Sequence, residues 1–83
     1  MAVDRTRAEV ADIISAFVRG DGSAWAWDDF ISVRINDPAL EAIRAQCAGL
    51  PDDYPPSVAS HYCGEAGVAI LRSLAEYLRR AVV

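Results

Sequence analysis

Apolar residues recur at helical spacing in three long stretches of the chain and one short one. Val10, Ile13, Ile14, Phe17 and Val18 fall on one side of a helical repeat. Ahead of them, Thr6 and Glu9 stand three residues apart. At that spacing a hydroxyl and a carboxylate can each satisfy a free backbone N–H at a helix start. Gly20-Asp21-Gly22 then breaks the pattern. These features predict a first helix over about 6–19.

The second stretch is "SAWAWDDFIS". Ser23 suits a cap, and Trp27, Phe30, Ile31 and Arg34 follow at i, i+3, i+4 and i+7, which predicts a short helix over about 24–32. Asp28 and Asp29 fall in its first half, off the apolar stripe, where they suit the helix dipole. "ISVRIND" then alternates apolar and polar positions with β-branched residues, so the chain is expected to run extended there. No other segment offers that stretch an evident partner strand, so no sheet is expected.

Asp37-Pro38 opens the third helix as an N-cap followed by proline at the first helical position. Leu40, Ile43, Cys47 and Leu50 supply its inner face, and Gly49 with Pro51 predicts an end near residue 48. A long loop carrying Tyr54, Pro55 and Pro56 is expected next, held extended by the two prolines. The last helix is predicted over about 64–80. Val68, Ile70, Leu71, Leu74, Tyr77 and Leu78 form its face, and Arg79 and Arg80 sit favourably at its C-terminal end. The expectation is an all-α, compact single-domain bundle of three to four helices.

Composition narrows the function classes. With 83 residues, most apolar side chains are needed for the core and little remains to line a deep catalytic cleft. That favours a binding module over an enzyme. All eight Lys+Arg positions are arginine, and the net charge is −4. The negative charge is concentrated between Gly20 and Glu65, where eight carboxylates face only Arg34 and Arg44, while arginine outnumbers carboxylate toward the two ends. Such a field repels phosphate backbones and attracts a basic protein. No run approaches the ~18 apolar residues of a membrane span, and the charged start shows no signal-peptide pattern. A cytoplasmic protein with Cys47 and Cys63 reduced is the expectation.

Trp27, in register with Phe30 and Ile31, reads as a core anchor. Trp25 lies off that face and either covers an end of the bundle or stands exposed at an interface. The pairs Asp28-Asp29 and Asp52-Asp53 are poorly suited to acid–base work, because neighbouring side chains on a helix diverge by ~100°. They lack the alternating ligand pattern of a calcium loop, which leaves solvated charge or a protein-facing acidic patch. In His61-Tyr62-Cys63 a thiolate at a helix start with His61 as base is conceivable, but a buried thiol is the plainer reading. His61 and Cys63 alone do not complete a metal set. No catalytic residue, metal or cofactor is expected. Tyr54 with Pro55 and Pro56, behind Asp52 and Asp53, instead suits a stiff recognition element.

Size, acidity, four helices and "DDYPP" ahead of the last helix resemble the bacterial immunity proteins of nuclease toxins, and in outline the colicin-DNase immunity family. There a short segment of roughly D-x-x-Y-Y-P, with an acidic second helix, grips the toxin. Asp52, Asp53, Tyr54 and Pro55 match that segment with one tyrosine missing, and "WDDF" stands where the acidic helix lies. The resemblance implies an immunity or antitoxin protein that neutralises a basic toxin domain, as in contact-dependent growth inhibition, and is no enzyme. The expected contact set is Asp28, Asp29, Asp52, Asp53, Tyr54 and Trp25. The alternative is a structural or regulatory module that forms a homodimer through its apolar C-terminal "AVV".

Overall fold

A computed structural model describes residues 2–21, 24–57 and 62–80. They form four helices, α1 (Arg7–Arg19), α2 (Ala24–Ser32), α3 (Pro38–Asp53) and α4 (Glu65–Arg80). The radius of gyration is 12.1 Å, close to the ~12 Å of one domain of this length. The architecture is all-α.

The first helix begins and ends as its sequence predicts. The Glu9 N–H donates to the Thr6 hydroxyl at 3.1 Å, and the Thr6 N–H donates to the Glu9 carboxylate at 3.0 Å. Gly20 closes it in the left-handed region at φ 77°, where a side chain would be strained. Val10, Ala11 and Ile14 are buried, with Ile13, Phe17 and Val18 half-buried against the core.

In α3 the Asp37 carboxylate accepts from the Ala39 and Leu40 N–H groups at 2.9 and 3.3 Å, as an N-cap should. Leu40, Ile43, Cys47 and Leu50 are all buried. Its end differs from expectation. Gly49 keeps a negative φ instead of turning left-handed, and the helix passes through Pro51 to Asp53. Asp52 and Asp53 therefore belong to the last helical turn and not to the segment after it.

Helix α4 packs mainly on α1. The two run antiparallel: Arg79 near the end of α4 meets Asp12 at 3.1 Å, and the Arg7 guanidinium at the start of α1 lies 5.4 Å from the Tyr77 ring centroid. Gly67, Leu71, Ala75 and Leu78 are its buried line. Tyr77, expected on that face, is 59% exposed. The inward stripe runs through the small residues Gly67 and Ala75, which carries Tyr77 round to solvent.

Extended residues 33–36 do find a partner, which the sequence did not reveal. The Val3 N–H donates to the Arg34 carbonyl at 2.8 Å and the Asn36 N–H to the Val3 carbonyl at 2.9 Å. This is an isolated parallel bridge between Val3 and Ile35 and no sheet. The Asn36 amide adds a hydrogen bond to Asp4 at 2.8 Å.

Candidate functional site: the exposed side of α2 and the acidic end of α3

Trp27 is 3% exposed and Phe30 fully buried, so the apolar stripe of α2 fixes the helix to the core. The Trp27 ring stacks on Phe17 of α1 at 4.0 Å and 8°. Tyr62, just before α4, meets both rings edge-on, at 5.3 Å from Phe17 and 5.6 Å from Trp27. T-shaped pairs such as those of Tyr62 add stabilisation beyond their buried area. The Tyr62 hydroxyl also donates to the Cys47 carbonyl of α3 at 2.8 Å. One side chain thus ties together α1, α2 and α3.

That hydrogen bond explains the unexpected course of α3. Proline has no N–H to offer the carbonyl four residues earlier, and for Pro51 that carbonyl belongs to Cys47. Tyr62 supplies the missing donor. Burial raises the pKa of the Tyr62 hydroxyl above its ordinary value, the nearby Trp27 indole N–H opposes the rise, and the Asp28 charge adds to it. The indole nitrogen itself is buried without a partner of good hydrogen-bond geometry.

A second junction holds α2 to α3. The Arg44 guanidinium grips Glu41 through two parallel bonds of 2.8 and 2.7 Å and donates to the Ile31 carbonyl near the end of α2. Glu41 in turn accepts from the Ile35 N–H at 2.9 Å. The Arg44 hydrogen bond, followed by that of Ile35, lowers the Glu41 carboxyl from 4.5 to about 2. Two charges in the middle of the chain are thereby spent on structure. Spacing three apart on a helix was the available signal for this pair.

With α2 anchored on one side, its other side faces solvent. Trp25, Asp28 and Asp29 stand at i, i+3 and i+4, which places them together on that side, and all three are exposed, Trp25 to 84%. The question left open for Trp25 is answered: it does not cover the bundle. Asp29 lies 3.5 Å from Arg5 with its own side chain 68% exposed. Among the described residues Asp28, Asp52 and Asp53 form no hydrogen bond or ion pair. Asp52 and Asp53 are exposed at the C-terminal end of α3, where the helix dipole disfavours negative charge.

Tyr54 differs from the rest of the expected contact set. It is half-buried against the core, and its carbonyl accepts from the Gly64 N–H at 2.7 Å. Its segment is thus fastened to the start of α4. Cys47 and Cys63 are free and buried. Burial pushes the Cys47 thiol up to about 12 and raises Cys63 as well, the opposite of an activated nucleophile. Among the described residues no group of three His, Cys, Asp or Glu side chains is placed to hold a metal ion. None of the described helices is long and apolar enough to cross a membrane. Ser23, His61 and the tail 81–83 lie outside the described residues.

Comparison with protein-family models, curated proteins and solved structures finds no match to this chain.

Proposed function

We propose that the chain is an immunity or antitoxin-type binding protein whose acidic α2–α3 face occludes a basic toxin domain, a nuclease by preference. The observation that carries this reading is the solvent face of α2, where an exposed tryptophan shares one side of a helix with two aspartates. A large aromatic ring left in water gains most when a partner covers it, and such residues dominate the energy of many interfaces. Asp52 and Asp53 support the reading, since a basic partner would relieve two carboxylates set against a helix dipole. The mechanism is competition: the carboxylates take the cationic surface on which the toxin would hold phosphates. Long-range attraction speeds encounter, and burial of Trp25 slows release.

The test is charge reversal at Asp28, Asp29, Asp52 and Asp53, scored by protection of cells that express the cognate toxin. Protection is expected to vanish while the helical circular dichroism is retained. A fully protective, folded quadruple variant would overturn the assigned surface.

A further inference from the structure

Two adjoining recesses are lined mainly by residues of α1 and α4. The larger, about 640 Å³, has an apolar wall of Phe17, Val18, Val68 and Leu71, with Tyr62, Cys63 and the Glu65 carboxylate, two helical turns from Arg72, also lining it. The smaller, about 440 Å³, is rimmed by Arg19, Arg72, Arg79 and Arg80. Val18 and Arg72 line both, so the two recesses meet at these residues.

Three of the four arginines already hold a carboxylate: Arg19 meets Asp21 at 2.9 Å, Arg79 meets Asp12 at 3.1 Å, and Arg80 pairs with Glu76. Arg72, at the junction, has no hydrogen bond or ion pair among the described residues. An unpaired guanidinium lining an apolar trough combines two demands. Its planar fork matches a carboxylate or phosphate, and the trough behind it gains from burying methylene groups.

We propose that this groove binds an anionic amphiphile, an aliphatic chain ending in a carboxylate or phosphate. The chain lies along Phe17, Val18, Val68 and Leu71, and the head group sits on Arg72. The site uses a different pair of helices from the acidic face, so it stands or falls independently of the toxin reading.

Phe17 offers a direct readout, because it lines the larger recess and stacks on Trp27. In a Trp25→Phe background, emission reports Trp27 alone. Octanoate and octyl phosphate, titrated below their micelle concentrations, are expected to change that emission saturably. Octanol, lacking the charge, and inorganic phosphate, lacking the chain, should each bind more weakly. Arg72→Gln should weaken both anionic ligands about tenfold, the scale of one charged hydrogen bond, without lowering the melting temperature. Amide chemical shifts at Val18, Val68 and Arg72 check the location. No saturable change, undiminished affinity in Arg72→Gln, or inorganic phosphate binding as tightly as octyl phosphate would each overturn the proposal.

Discussion

The Tyr62 hydroxyl donates to the Cys47 carbonyl at 2.8 Å, four residues before Pro51 in α3. The proline removes the N–H that this carbonyl would otherwise accept, and a side chain from another part of the chain replaces it. A buried acceptor left unsatisfied costs about 1–3 kcal/mol. Tyr62→Phe keeps the ring contacts with Phe17 and Trp27 and is expected to destabilise by that amount in denaturant titration. In a Pro51→Ala background the backbone N–H returns, and the same change should cost under ~1 kcal/mol. Equal costs in the two backgrounds would show that the two residues are not coupled.

Gly67 sits where α4 closely approaches Cys63 and Tyr54. A Cβ there would lie 2.8 Å from the Cys63 Sγ, 3.2 Å from its Cβ and 3.3 Å from the Tyr54 Cβ. Alanine is favoured over glycine within a helix by about 1 kcal/mol, so propensity alone predicts that Gly67→Ala stabilises. The clash predicts the reverse, a loss of about 1–3 kcal/mol from overpacking. Adding Cys63→Ala removes the nearest atom, so the penalty for Gly67→Ala should shrink in that background. A stabilised Gly67→Ala would mean that the thiol moves aside freely.

Glu41 gives the fold a specific acid sensitivity. Its carboxyl titrates at about 2 in the folded chain against an ordinary value of 4.5, chiefly through the Arg44 hydrogen bond. Between those values the unfolded chain holds a proton that the folded one does not. The stabilisation is complete above about 4.5, declines as pH falls, and is gone below about 2. Glu41→Gln should therefore melt lower than the parent at neutral pH, and the gap should narrow on acidification through this window. A gap that stays constant down to pH about 2 would refute the assignment.

Helical periodicity made most of this fold legible. The Thr6–Glu9 box, the Asp37 cap and the inward lines of α1 and α3 follow from spacing and local chemistry, and these signals are contained within one turn. What escaped depends on contacts between distant segments. Pro51 reads as a stop because its lost hydrogen bond is local and its replacement from Tyr62 is not. Val3 carries no sign that it will pair with Ile35. Tyr77 matches an apolar stripe, yet faces water because Gly67 and Ala75 let α4 approach along a neighbouring line. For the acidic face, the register separated Trp25 from Trp27, but the solvent exposure of Trp25 needed the packed helices.

The two tryptophans therefore separate stability from recognition. Trp27, 3% exposed and stacked on Phe17, is a structural residue, and Trp27→Ala is expected to cost about 3–5 kcal/mol of folding stability. Trp25, 84% exposed, should shift stability by no more than about 0.5 kcal/mol when changed to alanine. On the proposed interface the order reverses. Trp25→Ala should weaken a toxin partner by about 2 kcal/mol or more, chiefly through faster dissociation. Chemical denaturation and surface plasmon resonance on the same two variants measure both halves. Because Trp25 stands three and four residues before Asp28 and Asp29, its loss should also reduce the effect of reversing those charges. Strict additivity would show that Trp25 and the two aspartates contribute independently of one another.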